Sequence, residues 1–507
     1  MIKKLLCFVL IGFTVQIFSQ AGTLDTTFGG TGKVLTAMST SNDEAHDLAV
    51  QSDGKIVVAG LVSNGSTNFY DFGVVRYNSD GTLDTMFATA GKLIMNISGY
   101  DMAYAVEIAP DGKIYVAGLT AGTSFYSGGN FSVVRLNTNG TLDTTFGTSG
   151  VATVTFPYTD YFTNLYLQND GKILVCGRNV PDTTGNYSDF SLARFNNDGT
   201  LDFDFSNDGK LTTNFGNSDE STSIGVDTSG NIYLAGKGGT NVCIAKYFSD
   251  GSLDTSYATG GKVNLYVNNH STELNDMKLL SDGSILFTGL YYDTQYQMIV
   301  GKLNPNGALD TTFGTNGITV TDVDSNSEDT AYSLVVQPDG KIIISGRTYT
   351  AGTYYFAVLR YTAAGVLDTT FSNDGKVLTA FGTSWGMAYS SVLQSDGKLL
   401  VAGQYGGSSN ADFAIARYIT LSPSLANTDF IKNKVSLYPN PTLGQIQLAS
   451  ELDLVSSNFS INDLLGKTLL RGILNQADEK IDVSSLSNGI YLFSIPEKSV
   501  AIKFIKY

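Results

Sequence analysis

The sequence predicts an all-β fold: a seven-bladed β-propeller of four-stranded blades followed by a small β-sandwich. A phrase of the form Gly-Thr-Leu-Asp-Thr-Thr-Phe returns seven times, with its Leu-Asp core at Leu24-Asp25, Leu83-Asp84, Leu142-Asp143, Leu201-Asp202, Leu253-Asp254, Leu309-Asp310 and Leu367-Asp368. The steps between copies are 59, 59, 59, 52, 56 and 58 residues, too long for one solenoid coil and long enough for four short strands with turns. Each step also contains four β-rich runs separated by Gly, Asp and Asn, the pattern of a meander. Such a unit is a scaffold, and no catalytic group is copied with it.

Taken in chain order, Met1-Ile2-Lys3-Lys4, the apolar run Leu5 to Phe18 and Ser19-Gln20-Ala21 form the three regions of a secretory signal, so residues 1–20 read as a signal peptide. The run is too short to cross a bilayer and no later stretch approaches about eighteen unbroken apolar residues, so no transmembrane segment is expected in the mature chain. Cys7 lies inside the run, which leaves no cysteine at the cleavage site to carry a lipid.

The first repeat then shows the order common to all: 32–36, 43–51, 55–60 and 72–78. Ser52-Asp53-Gly54-Lys55 supplies the hairpin between the second and third runs and recurs as Asp111-Gly112, Asp170-Gly171, Asp282-Gly283, Asp339-Gly340 and Asp396-Gly397, with Gly230-Asn231 in unit four. The third run is apolar almost throughout, as a strand covered on both faces must be. The fourth carries Arg76, Arg135, Arg194, Lys246, Lys302, Arg360 or Arg417 in one column. That column reads either as a cationic stripe or as residues solvated or paired with the nearby linker aspartates.

The array starts and ends out of phase. It opens at Ala21 with a linker and the strand 32–36, and stops after 411–418 without the strand that should follow. Residues 32–36 are therefore expected to complete the last blade and close the ring, leaving no long unpaired edge and placing the runs that begin at 43 around a central channel.

These repeats resemble the delta-60 repeat family over roughly Ala21 to Ile419, a resemblance that implies a propeller and little about ligands. After a polar linker, 420–433, the chain offers Tyr438-Pro439-Asn440-Pro441, Leu464-Leu465-Gly466-Lys467, Asn488-Gly489-Ile490-Tyr491 and a final run ending Lys503-Phe504-Ile505-Lys506-Tyr507. Short alternating runs make this a small sandwich over 434–507. The combination resembles the type A C-terminal sorting domain of the type IX secretion system. The resemblance implies export through the periplasm of a Bacteroidota-type cell, release or attachment at the surface, the secretion machinery as partner, and an export signal at Lys503–Tyr507.

Composition narrows the function. A formal charge of −16 without a basic cluster argues against nucleic acid. Cys176 and Cys243 read as small buried hydrophobes, and His46 and His270 stand in different columns, so no disulfide framework, His/Cys metal centre or other cofactor is expected. Calcium is a weaker expectation at Asp198, Asp202, Asp204 and Asp208, which lack the full ladder of a calcium loop.

Candidate site residues are columns that gather at one place or residues that break the repeat. Asp43, Asp101, Asp160, Asp219 and Asp329 head the inner runs, with Thr272 and Gly386 in the other two units. Around one channel mouth these carboxylates would attract a cation or accept hydrogen bonds from sugar hydroxyls; the competing reading is a cap on the preceding turn. His46, Tyr104, Thr163, Thr222, Asn275, Tyr332 and Tyr389 form a variable column three residues on. Trp385, the only tryptophan, reads as a sugar-stacking platform beside Tyr389 or as filling between blades. The expectation is a secreted or surface-attached, non-catalytic binding or structural module, with a surface polysaccharide or other glycan as candidate partner. The alternative is a carbohydrate-active enzyme, hydrolase or lyase-like, using channel carboxylates.

Overall fold

A computed structural model describes residues 20–507 except 64, 66–68, 122–128, 158, 181–186, 326, 408–409, 422–434, 451–453, 464–467, 477–478 and 496–499. The signal peptide up to residue 19, most of the expected linker and the Leu464–Lys467 motif lie outside the described residues.

Seven four-stranded antiparallel sheets form from the repeats. Blade 1 consists of Asp43–Val50, Ile56–Ser63, Tyr70–Tyr77 and Lys92–Met95, paired in chain order. Blades 2 to 6 repeat that order over 100–154, 159–213, 219–265, 271–321 and 328–379. Blade 7 takes Gly386–Leu393, Leu399–Tyr405 and Asp412–Tyr418 from the end of the array and Lys33–Thr36 from its beginning, with Lys33 opposite Ala416 and Thr36 opposite Phe413. Each inner strand packs against the inner strands of both neighbours, and that of blade 7 against that of blade 1. The ring is closed around a channel, as the phase of the repeat requires.

The core lies between blades. Ile56–Ser63 and Ile114–Ala121 are buried at every position, as their unbroken apolarity predicts. Leu48, Val58 and Tyr77 of blade 1 pack with Leu400, Phe413 and Ile415 of blade 7 in one cluster.

The recurring Leu-Asp phrase acts as a clamp. The basic column meets the linker aspartates in all seven repeats: Arg76–Asp84 at 2.8 Å, Arg135–Asp143 at 2.7 Å, Arg194–Asp202 at 2.6 Å, Lys246–Asp254 at 3.0 Å, Lys302–Asp310 at 3.1 Å, Arg360–Asp368 at 2.9 Å and Arg417–Asp25 at 2.8 Å. The last pair is the closure again, since Asp25 supplies the linker that blade 7 lacks. Where the base is arginine, its guanidinium lies over the phenylalanine of the same phrase, 4.4 to 4.7 Å from the ring centre. Its Nη1 also donates to a backbone carbonyl of the next blade: Thr138, Asn197, Ser249, Thr420 or Ser79. The column is thus paired rather than a free cationic stripe.

Every inner strand carries a β-bulge at the variable column, at His46, Tyr104, Thr163, Thr222, Asn275, Tyr332 and Tyr389. The bulge explains an invariant glycine opposite. A Cβ on Gly60 would meet the Glu44 carbonyl oxygen at 1.9 Å, and each of the other six glycines meets its own carbonyl at 1.9 to 2.0 Å.

The chain divides into two compact units between Ser422 and Pro423. The second contains a three-stranded sheet (Val435–Tyr438, Gln445–Ser450, Lys480–Asp482) and a four-stranded sheet (Thr468–Ile473, Asn458–Asn462, Gly489–Ile495, Val500–Lys506). Leu437, Ile446, Ile461, Phe493 and Phe504 share its core, which makes it a sandwich.

Candidate binding site at the channel mouth

The five aspartates that head the inner strands are fully buried, with no exposure at Asp43, Asp101, Asp160, Asp219 or Asp329. Each accepts backbone N–H groups from the turn just before its strand: Met38 and Ser39 onto Asp43, Ile97 and Ser98 onto Asp101, Phe156 onto Asp160, Phe215 onto Asp219 and Val323 onto Asp329. Burial pushes Asp43 and Asp329 upward, Asp160 to about 7 and Asp219 to about 6. This corrects the expectation of an open carboxylate ring, because carboxylates enclosed in their own turns face no solute; the geometry is that of a cap.

What opens at this end of the channel is the bulge column and the pair of columns beside it. His46 Nδ1–H donates to Ala103 O at 2.8 Å, Thr163 Oγ1 to Ser221 O at 2.6 Å, Thr222 Oγ1 to Leu274 O at 2.9 Å and Asn275 Nδ2 to Ala331 O at 2.8 Å. Each polar bulge residue therefore ties its blade to the next. The three tyrosines of the column instead group around His46. Tyr104 stacks on it at 4.7 Å, Tyr389 meets it edge-on at 5.6 Å, and Tyr332 meets Tyr389 at 5.5 Å.

From Tyr332 the contacts continue outward. The Arg347 guanidinium lies 5.7 Å from the Tyr332 ring and 5.1 Å from Tyr354, and Tyr354 meets Trp385 edge-on at 5.8 Å. Trp385 is 41% exposed. Trp385 and Tyr389 thus lie on one path of rings, from solvent at Trp385 through Tyr354, Arg347 and Tyr332 to Tyr389, His46 and Tyr104 in the channel.

Two flanking columns complete the mouth. The inner strands contribute Glu44, Tyr161, Glu220, Glu273 and Met387; the second strands contribute Arg178, Lys237, Arg347 and Gln404, where other blades have leucine. Lys237 Nζ lies 2.9 Å from Glu273 and 3.8 Å from Glu220. Glu44 accepts from Asn42 at 2.7 Å and has His46 Nε2 at 3.6 Å; with its amide turned to donate, Gln404 reaches the same carboxylate at 3.1 and 3.2 Å. Burial, which raises Glu44, is outweighed by His46 and Asn42, so its carboxyl titrates below the ordinary value.

Further along the inner strands three carboxylates, Asp47, Glu107 and Asp276, break the repeat; Asp276 accepts from Ser223 Oγ at 3.0 Å and Leu334 N–H at 2.8 Å, and burial pushes it to about 6. Asp47 accepts from Ser390 Oγ at 2.6 Å, Leu48 N–H at 2.8 Å and Val106 N–H at 2.8 Å, and burial pushes it to about 6. Glu107 is pushed to about 7 by burial and by the Asp47 charge, and Asp47 and Glu107 line a cleft of about 270 Å³. Sequence reasoning missed all three carboxylates, together with Arg178, Arg347 and Tyr354. For the two arginines the signal was available in the residue after the bulge-facing glycine, which is leucine in blades 1, 2 and 5 and Arg178, Lys237, Arg347 or Gln404 in the others.

Among the described residues no three His, Cys, Asp or Glu side chains are placed to hold a metal ion. Of the weak calcium candidates, Asp202 pairs with Lys172 and Arg194, Asp198 accepts from Thr200, and Asp208 from Lys210 N–H. Cys176 and Cys243 are buried free thiols.

With the geometry in place, comparison with known proteins adds the family. The domain of unknown function DUF5122 β-propeller matches 51–87, 109–146, 168–205, 228–257, 280–313, 337–371 and 394–418, one stretch per blade. The chain is a DUF5122-repeat β-propeller. A secretion system C-terminal sorting domain matches residues 436–506 and marks the protein for type IX secretion and attachment at the cell surface. No helix among the described residues is long and apolar enough to cross a membrane. In the sorting domain Lys503 is exposed, Phe504 is fully buried and Lys506 is 7% exposed, all on the final strand beside Gly489–Ile495.

Curated protein sequences include no match to this chain. Solved structures similar to it include virginiamycin B lyase from Staphylococcus aureus with quinupristin (9% identity, 76% of this chain and 98% of that one, TM-score 0.41). A protein of unknown function from Dyadobacter fermentans matches at 12% identity over 76% and 98%, TM-score 0.41, and a PL25 ulvan lyase at 12% over 79% and 94%, TM-score 0.43. Likenesses at this level bear on neither ligand nor chemistry.

Proposed function

We propose that the DUF5122 propeller is a non-catalytic binding module displayed at the cell surface, and that it seats a glycan on the path of rings running from Trp385 to Tyr104. The observation that carries this reading is the continuity of that path, with ring contacts of 5.8, 5.5, 5.6 and 4.7 Å joined through Arg347. Aromatic faces and edges take up the C–H surfaces of a sugar, and hydroxyls find polar side chains and backbone groups at the mouth.

Trp385 supplies the test, because as the only tryptophan it makes intrinsic fluorescence report on this site. Titration with an oligosaccharide panel should shift or quench that emission, and Tyr354→Ala should weaken binding about tenfold by calorimetry. Glycan binding that leaves Trp385 emission and the Tyr354→Ala affinity unchanged would move the site elsewhere.

One observation favours the enzyme reading. Asp47 and Glu107, raised to about 6 and 7, are unequal neighbouring acids inside the channel. Against it, both oxygens of Asp47 are occupied by Ser390, Leu48 and Val106. Turnover of any bound oligosaccharide that is abolished by Glu107→Gln would establish the enzyme instead.

A further inference from the structure

The propeller contains seven arginines, and their partners divide them into two kinds. Arg76, Arg135, Arg194, Arg360 and Arg417 each clamp a linker aspartate. Arg178 and Arg347 do not. Both stand in the mouth column, directly after the bulge-facing glycine, on the second strands of blades 3 and 6. Arg178 lies over the Tyr161 ring at 4.1 Å and forms no hydrogen bond or ion pair with any described residue; its Nε is buried without a partner. Arg347 has tyrosine faces and the Met387 sulfur, 3.2 Å from Nη1, but no carboxylate.

The acids of the same mouth are already engaged: Glu220 and Glu273 flank Lys237, and Glu44 is taken by Asn42, His46 and Gln404. A chain of formal charge −16 thus leaves two guanidiniums of this column, on blades 3 and 6, without a carboxylate partner among the described residues. An arginine denied its charge-assisted hydrogen bonds and held flat against an aromatic ring is a preorganised receptor for a planar or tetrahedral anion. At physiological salt the acidic surface beyond about 8 Å is screened, so each guanidinium acts through its own surroundings.

We propose that the glycan recognised at this mouth is acidic, a saccharide bearing carboxylate or sulfate groups, and that Arg178 and Arg347 receive its anionic groups. The inference rests on the binding-module reading above and narrows its ligand. Calorimetry and Trp385 fluorescence on the full mature chain would compare matched pairs: oligogalacturonate against its methyl ester for the carboxylate, and chondroitin sulfate against its desulfated form for the sulfate.

The acidic member of at least one pair should bind about tenfold or more tightly than the neutral member, as charge-assisted hydrogen bonds require. Arg178→Gln should collapse the acidic-to-neutral ratio about fivefold or more while the melting temperature moves little, since the side chain's one contact among the described residues is the Tyr161 ring at 4.1 Å. Raising salt should erode the same ratio. Equal affinities within both pairs would overturn the acidic assignment while leaving the mouth as the binding site. Selectivity that survives in Arg178→Gln and in Arg347→Gln would overturn the role of the arginines. No binding of any member, with Trp385 emission unmoved, would overturn both readings together.

Discussion

Replacing Asp25 by alanine tests how the ring is held shut. Asp25 accepts from Arg417 Nε at 2.8 Å and from the Thr27 hydroxyl at 2.7 Å, and lies 3.1 Å from Lys398 Nζ. Burial, which alone would raise its pKa, is outweighed by Thr27, Lys398 and Arg417, so the carboxyl sits at about 2 instead of 3.8. That preference for the ionised form corresponds to about 2 kcal/mol. Truncation also leaves Arg417, itself 5% exposed, without its partner, which brings the expected loss to about 3–5 kcal/mol.

Asp84→Ala is the control. It removes the same arrangement, Arg76 at 2.8 Å and Lys55 at 3.0 Å, from a linker that joins consecutive strands. The local losses should match, but only Asp25→Ala frees the strand Lys33–Thr36 and bares the edge of Asp412–Tyr418. Urea unfolding with limited proteolysis and mass spectrometry would separate them. Both variants should lose stability, and only Asp25→Ala should gain early cuts between residues 20 and 42 and a tendency to aggregate. Identical cleavage patterns, or a loss below about 1 kcal/mol, the range of an exposed pair, would refute the closure argument.

Three further outcomes follow from the same geometry. Asp47, Asp219 and Asp276 are pushed to about 6, and Asp160 and Glu107 to about 7, chiefly by burial. The folded chain therefore binds more protons than the unfolded one between roughly pH 4 and 7, stability falls as pH rises through that window, and calorimetry should give a higher melting temperature near pH 5 than near pH 7.5; a steady rise toward neutrality would contradict it. Arg76→Lys keeps the charge but loses the Nη1 bond to Thr138 O across the blade boundary, so chemical denaturation should show a loss of about 1–2 kcal/mol. Deleting Lys503–Tyr507 removes Phe504 from the sorting-domain core and should block surface delivery in cell fractionation, while the propeller transition stays where it was because the two units have separate cores.

The sequence alone was sufficient for the architecture because the repeat states it seven times. Spacing set four strands per unit, the Leu-Asp phrase marked the linkers, and the phase mismatch at the ends required Lys33–Thr36 to join Asp412–Tyr418. Even the bulges were written there, in the glycine of each second strand, since only a residue without Cβ tolerates a carbonyl at about that 1.9 Å approach. What sequence could not decide was direction and partnership. Asp43 and its counterparts looked like an open ring, and only the turns folded over them showed that they are fully buried and accept backbone N–H groups of their own turns. The repeat register already set five arginines in the basic column, and only the packed blades showed that these five meet an aspartate while Arg178 and Arg347 meet none among the described residues. Periodicity fixes which residues share a column, whereas whether a charge in that column is fully satisfied depends on atoms brought from the next blade, 62 residues away for Arg135 and Asn197 and 338 for Arg417 and Ser79, where the ring closes.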